Sequence, residues 1–460
     1  DEDSGLRGIR ISDKDAPEHS VTVMLAGADS DPGEGVERFV FSDATLSRAE
    51  LIALAPADPG LAGIAGTSRR DVLAGTDLAD VINGLEGNDS INAGAGDDVI
   101  IGGAGRDVMD GGSGDDVFQV LGSDVRHDVF IGGEGFDRVL GSDGDDVIRV
   151  HRFSGDKRVE QVDGAGGYNV LAGTDANNLI DLSGVDLLNV ARIEAGLGDD
   201  RIIGSSGGDV ILGGPGRDVM KGADGDDLFL VEGFDTAHDV VNGGNGFDRI
   251  TGSVTDDVIR LHRFRGDNRV EMIDGGGGVD VIMGTDADDR LDFRETELRG
   301  IRHIDAGQGD DVVFGSIGDD VLFAGAGDDR FVGGSGNDTY VFGRGDGMDV
   351  IKDRDRTPNT DRLLFGDDID MEQIWFRRVG DDLEVSVIGG DDQATIENWF
   401  EGAWNQIEEF RTADGQSLLN SEVDNLINAM AAFSPPGSGE LSLTPDYREE
   451  LLPVIAASWQ

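Results

Sequence analysis

From Gly66 to Gln119 the chain reads as six consecutive nine-residue phrases: GTSRRDVLA, GTDLADVIN, GLEGNDSIN, AGAGDDVII, GGAGRDVMD and GGSGDDVFQ. Each carries Asp in sixth place and an apolar residue in eighth, namely Leu73, Ile82, Ile91, Ile100, Met109 and Phe118. A period of nine cannot keep one face of a helix apolar, and each glycine would cost a helix about 1 kcal/mol. The three residues after the Asp suit a very short strand, and the glycine-rich six before it suit a turn. Two phrases then close one coil, and stacked coils form parallel sheets with a step of about 4.8 Å. The expected fold class is all-β, a parallel solenoid with turns along both edges. The regular apolar eighth position argues against a Gly/Asp-rich flexible linker.

These phrases resemble the nonapeptide repeats of the RTX family, whose chains fold as right-handed parallel β-rolls with calcium in the turns. The resemblance implies that one ion sits between stacked turns on the same side, with sixth-position Asp giving carboxylate oxygen and early turn positions giving carbonyls. Carried over, the metal-ligating set is Asp71, Asp80, Asp89, Asp98, Asp107 and Asp116, then Asp137 and Asp146, then Asp200, Asp209, Asp218 and Asp227. It continues with Asp248, Asp257, Asp280 and Asp289, and ends with Asp311, Asp320, Asp329 and Asp338. The accompanying turn glycines are Gly102, Gly103, Gly105, Gly111, Gly112, Gly114, Gly213, Gly214, Gly216, Gly333, Gly334 and Gly336. Uninterrupted runs of six, four and four phrases give eight same-side pairs.

Calcium also answers a physical difficulty. Only two inward side chains per coil oppose the entropy of ordering eighteen residues, and each turn aims a carboxylate at its stacked neighbour. Calcium accepts six to eight oxygen ligands, carbonyls and carboxylates among them. Arg69 and Leu78 replace the fourth-position glycine, and Asn169 and Asn178 replace the sixth-position Asp, so weaker sites are expected there.

A longer period overlies the short one. GGAGRDVMDGGSGDDVFQV at 102 to 120 returns as GGPGRDVMKGADGDDLFLV at 213 to 231, and VIRVHRFSGDKRVEQVDG at 147 to 164 returns as VIRLHRFRGDNRVEMIDG at 258 to 275. The register of 111 residues holds from about 98 to 319, which indicates tandem duplication of a block. The stretches that are not nonads read as strand, turn, strand around SGDK, and are expected to be wider coils or protruding hairpins.

The ends differ from the middle. Residues 1–65 hold strand-like SVTVML and VERFVFSD and a helix in TLSRAELIAL, with Ser47 and Glu50 as its capping pair. They are read as the remnant of an upstream domain and a cap on the first coil. Residues 66–120 form the regular roll, and 121–341 the elaborated roll with its duplicated blocks. Residues 342–418 hold Trp375, Trp399 and Trp404 and resemble the C-terminal associated domain that follows RTX repeats, a small α+β cap. In SEVDNLINAMAAF, Ser421 and Asp424 stand at capping-box spacing before an apolar face of Val423, Leu426, Ile427 and Met430. Residues 419–460 resemble an uncleaved type I secretion signal.

Asp plus Glu number 94 against 37 Lys plus Arg, a formal charge of −57, so nucleic acid and anionic membranes are poor partners. No apolar run reaches membrane-spanning length, and there is no cysteine to form disulfides or thiolate metal sites. The opening residues lack the basic start and apolar stretch of a secretory signal, which points to a fragment or to another export route. Catalytic motifs are not expected. The six histidines are scattered, and GSSGG at 204 to 208 has the letters of a nucleophile elbow without its strand–turn–helix setting. The sequence therefore predicts a secreted calcium-binding module that folds on calcium after type I export and supports an upstream domain, with any enzyme activity lying upstream. The alternative is a structural or adhesive surface component that self-associates or makes cell-surface contacts.

Overall fold

The seventh-to-ninth places of each phrase do become strands three to six residues long, and their registry is strict. In the computed structural model Val99 pairs with both Val81 and Val117, so Ile82, Ile100 and Phe118 stack at one level in a parallel sheet. The structure describes residues 62–123, 126–233, 237–354, 359–437 and 439–460, together with four short strands near the start. Two of these, Arg7–Ser12 and Ser20–Leu25, pair antiparallel, as do Arg38–Val40 and Thr45–Ser47. The expected helix thus begins instead as strand at Thr45–Ser47, and the rest of TLSRAELIAL lies outside the described residues.

The chain forms two units, Asp1–Gly196 and Leu197–Gln460. In the first, one wall runs Ala62–Ala65, Asp80–Asn83, Val99–Ile101, Val117–Gln119, Arg138–Leu140, Gln161–Asp163 and Asp186–Leu188. The facing wall runs Val72–Ala74, Ser90–Ala95, Val108–Ser113 and Val129–Glu134, and there it stops. Inside lies a core one side chain wide. Ile82, Ile91, Ile100, Met109, Phe118 and Phe130 are all buried, while Leu73 on the first coil is half-buried. Phe118 and Phe130 meet edge to face with centroids 5.6 Å apart.

The non-nonad stretch explains where the second wall went. After Arg138–Leu140 the chain starts two new walls, at Val147–Arg149 and Arg152–Phe153, before returning to the old one at Gln161–Asp163. The next coil repeats the circuit through Val170–Thr174, Leu179–Asp181 and Asp186–Leu188. The coils here are three-walled, and the stacking offset rises from 18 residues to 23. These are the wider coils. Arg152–Phe153 and Gln161–Asp163 do not pair with each other, and Gly155–Lys157 is a 3-10 turn between walls rather than a hairpin tip.

The second unit performs the same exchange. Val210–Leu212, Leu228–Leu230, Arg249–Thr251, Met272–Asp274 and Glu297–Arg299 form a continuing wall, while new walls start at Val258–Arg260 and Arg263–Phe264. The duplicated block is therefore a junction that converts one pair of walls into another.

The roll's last coils are closed by antiparallel strands. Met348–Ile351 pairs parallel with Gln393–Ile396, which continues antiparallel through Asp382–Val387 to Ile374–Val379, and Glu409–Arg411 pairs antiparallel with Ser417–Leu419. Helix Asn420–Met430 packs on Ile374–Val379 through Val423, Leu426 and Met430. Its N-cap is Leu419, without a side-chain cap, so Ser421 lies inside the helix and the expected capping box is absent. The strand Ser417–Leu419 runs straight into the helix and leaves no room for that cap. Helix Pro445–Ser458, capped by Thr444, packs on the first helix, and Gln460 exchanges two 2.9 Å backbone hydrogen bonds with Ser417. Residues 419–460 are thus folded onto the cap. Among the described residues no helix is long and apolar enough to cross a membrane.

Candidate calcium-binding turns

Each turn places its sixth-position carboxylate beneath the preceding coil. Asp98 Oδ1 accepts the backbone N–H of Asp80 at 2.7 Å, Asp116 Oδ1 that of Asp98 at 2.9 Å, and Asp137 Oδ1 that of Asp116 at 2.9 Å. The opposite edge of the roll runs Asp71, Asp89, Asp107 and Asp128 in the same way. The second unit repeats the ladder through Asp209, Asp227 and Asp248, through Asp200, Asp218 and Asp239, and through Asp257 and Asp280. Two further ladders run Asp289, Asp311, Asp329 and Asp349, and Asp320, Asp338 and Asp361. The first unit adds Asp146, beneath which stands Asn169.

In part of these ladders one oxygen is thereby satisfied and the other is not. The Oδ2 atoms of Asp89, Asp98, Asp116, Asp137, Asp227, Asp248, Asp311, Asp329 and Asp349 are buried without a hydrogen-bond partner. They face backbone oxygen. A Cβ built on Gly84 would lie 2.6 Å from Asp89 Oδ2 and 2.4 Å from the carbonyl oxygen of Gly102 in the next coil. That spot admits no side chain, which is why glycine stands there, and it gathers lone pairs with no donor. Further out, Gly112 has φ +101, and a Cβ there would fall 2.0 Å from Gly94 O. A buried anionic oxygen facing carbonyls is costly alone and suits a hard cation that takes only oxygen ligands.

The carboxylates respond electrostatically. Burial, with help from neighbouring carboxylates, pushes Asp98 and Asp137 up to about 6 and Asp116 and Asp227 up to about 7. Asp311, Asp338 and Asp349 are pushed up to about 8 for the same reasons.

Not every expected ligand is equivalent. At Asp80, Asp146, Asp209, Asp257, Asp289 and Asp320 the turn has Ser or Thr in second place, and its N–H donates to the same Asp Oδ2 at 2.5–2.7 Å. Ser205 and Ser316 add their hydroxyls at 3.1 Å, so Ser205, the residue before the central Ser206 of GSSGG, is a turn cap. The turns at Asp80, Asp209, Asp289 and Asp320 each open a ladder, and their Ser or Thr supplies donors to a carboxylate that takes no Asp N–H from a preceding coil, whereas Asp146 and Asp257 also accept the N–H of Gly122 and Gly233. The glycines at 102, 103, 114, 213, 214, 216, 333, 334 and 336 lie in the turns around these Asp residues, whereas Gly105 ends the short strand Ala104–Gly105 and Gly111 and Gly112 belong to Val108–Ser113.

Several ladder members escape the nonad pattern. Asp128, Asp239, Asp349 and Asp361 occupy the sixth-position place after stretches that break the nine-residue spacing; Asp128, Asp239 and Asp361 stand directly before a strand, and Asp349 is the second residue of one. Glu160, Glu271 and Glu408 terminate ladders by accepting the N–H of Asp137, Asp248 and Asp361 through Oε2 at 2.8–2.9 Å. A second ladder uses fifth-position residues and runs the other way. Asp97 Oδ1 accepts from Asp115 N–H at 2.9 Å, and Asp310 Oδ1 from Asp328 N–H at 3.0 Å. Adjacent acids in GGxGDD therefore have separate structural tasks.

A family model described as the RTX calcium-binding nonapeptide repeat matches residues 65–98, 84–118, 124–151, 194–229, 235–263, 265–294 and 305–348. A second, described as a haemolysin-type calcium binding protein related domain, matches residues 382–421 within the cap. Residues 152–193 lie between matched spans, whereas their duplicate is matched over 265–294. With parallel coils, glycine turns and stacked Asp oxygens all in place, the chain belongs to the RTX family, and its roll is a calcium-binding repeat module.

Proposed function

We propose that this module is secreted by a type I machinery, stays unfolded where calcium is scarce, and folds when calcium fills the turns outside the cell. In that role it stabilises the exported protein and supports an upstream domain, which would hold any catalytic activity. The observation that carries this reading is the series of buried, unpartnered Asp Oδ2 atoms facing carbonyl oxygen on successive coils. Asp89, Asp98, Asp116 and Asp137 in the first unit, and Asp227, Asp248, Asp311 and Asp329 in the second, would hold ions with the carbonyls beside them. The ion supplies positive charge and oxygen coordination, so binding free energy becomes folding free energy. Far-ultraviolet circular dichroism in chelator and then in millimolar calcium tests this: most of the β signal should appear only with calcium, and full β structure in chelator would defeat the reading.

A second reading is a structural or adhesive cell-surface component that assembles through calcium-loaded rolls. It is favoured by half-exposed Phe136 and Phe247, which stand at equivalent places in the duplicated blocks on the turn edge. Calcium-dependent growth in mass by light scattering supports it, and a monomer at every concentration opposes it.

A further inference from the structure

The two copies of the junction are chemically unequal at two turns. In the first copy the sixth position is Asn169 and then Asn178, and in the second it is Asp280 and Asp289, each 111 residues on. Asn169 keeps the structural duty of an Asp, because its Oδ1 accepts the N–H of Asp146 at 3.0 Å, as Asp280 Oδ1 accepts that of Asp257 at 2.9 Å. The other end of the side chain differs. Asn169 Nδ2 donates to Gly166 O at 2.7 Å in its own turn and to Asn189 O at 3.0 Å in the next coil. Asn178 Nδ2 lies 3.1 Å from Thr174 O, 2.5 Å from Ala176 O and 3.1 Å from Ala195 O. Those are the early-turn and next-coil carbonyls that elsewhere gather around an unpartnered Asp oxygen.

The two chemistries are superimposable. A Cβ built on Gly164 would lie 2.5 Å from Asn169 Nδ2, and one on Gly275 would lie 2.5 Å from Asp280 Oδ2. Likewise Ala195 O approaches Gly173 as Ala306 O approaches Gly284, beside Asn178 and Asp289 respectively. An NH2 group facing carbonyls satisfies them, and an anionic oxygen in that place needs a cation. The amide orientation is fixed by the same argument, since flipping either side chain would set oxygen against two or three carbonyls.

We infer that Asn169 and Asn178 plug two turns of the first junction with their own amides, so that this junction forms without calcium, while its duplicate takes an ion at Asp280; Asp289 already has the Thr285 N–H and hydroxyl on Oδ2 and His262 on Oδ1. This rests on the reading that calcium fills the Asp turns. The consequence is polarity in folding: the first junction persists at low calcium as a built platform for the coils beside it, and the second assembles only when ions arrive.

The test uses the whole chain. Hydrogen exchange in chelator should leave amides of residues 164–181 protected and those of 275–292 fast, with the difference abolished by millimolar calcium. Calcium counted by equilibrium dialysis should rise in N169D and fall by one ion in D280N. The latter imports the first junction's chemistry and should stay folded, with 275–292 now protected in chelator. Equal exchange of the two segments in chelator, or identical ion counts in a wild-type protein and variants that do bind calcium, would overturn the inference alone. A wild-type chain that binds no calcium would instead remove the reading beneath it.

Discussion

The roll and its C-terminal cap solve the same problem by opposite means. In the first unit each coil buries one apolar side chain per wall, Ile82 above Ile100 above Phe118, and faces buried carboxylate against carbonyl at its edges. The cap buries Trp375, Phe376, Trp399, Phe410, Met430 and Trp459, with Phe376 and Phe410 edge to face at 5.3 Å and Trp399 against Phe410 at 5.8 Å. Its edges are antiparallel hairpins and helices, which complete their own backbone bonding. The roll has a repeating charge defect that ions can cure, and the cap has a core thick enough to do without them.

The sharpest way to break that comparison is chelation. Removing calcium should melt most of the roll, seen as loss of β circular dichroism. All four tryptophans, Trp375, Trp399, Trp404 and Trp459, lie in the cap, so tryptophan emission should stay nearly native. Emission that shifts with the dichroism would make roll and cap a single cooperative unit. Core truncation should follow the same division. Phe118→Ala opens a cavity in a coil with no spare apolar contact and should cost about 3–5 kcal/mol, read as a raised calcium midpoint for folding with unchanged tryptophan emission. Trp399→Ala should cost about as much but move the emission.

Acidity sharpens the comparison further. Asp98, Asp116 and Asp338 are pushed to about 6, 7 and 8 in the folded roll, against about 3.9 for an unfolded Asp. A raised folded value means the folded state binds more protons, so its stabilisation is complete below about pH 4 and fades as pH climbs through 6 to 8. In chelator, β structure should therefore grow as pH falls from 8 to 4, with protons standing in for ions. In calcium, the ion midpoint should instead rise on acidification because the two compete. A chelated roll indifferent to pH would contradict the burial of these groups.

The smallest effect belongs to the bond between the two regions. Arg330 on a roll strand makes a bidentate 3.0 Å pair with Glu397 of the cap, and Lys352 approaches the same carboxylate at 3.1 Å. These groups are partly exposed, so Glu397→Gln should cost about 0.5 kcal/mol, measured by denaturant midpoint.

Reading the chain in nonads located most sixth-position Asp residues because glycine, Asp and strand recur at fixed places. It missed Asp128, Asp239, Asp349 and Asp361, since stretches that break the nine-residue spacing before them hide the period while the ladder needs only an Asp at the strand's mouth. It also treated all such Asp residues alike. Asp98 has an unpartnered oxygen, and Asp209 has both the N–H and the hydroxyl of Ser205, a difference visible only once it is known which coil lies below.

What the sequence determined by itself was local and periodic: a turn wherever glycines precede Asp, a strand after it, and an inward side chain two places on. These follow from backbone freedom and from residues close along the chain. Only the tertiary structure decided that the 111-residue block exchanges one pair of walls for another, that Ser and Thr cap the turns that open ladders, and that Asn169 fills with amide what Asp280 leaves open. Those outcomes depend on which coil stacks on which, and stacking joins residues 18 to 27 positions apart whose relation no local pattern records.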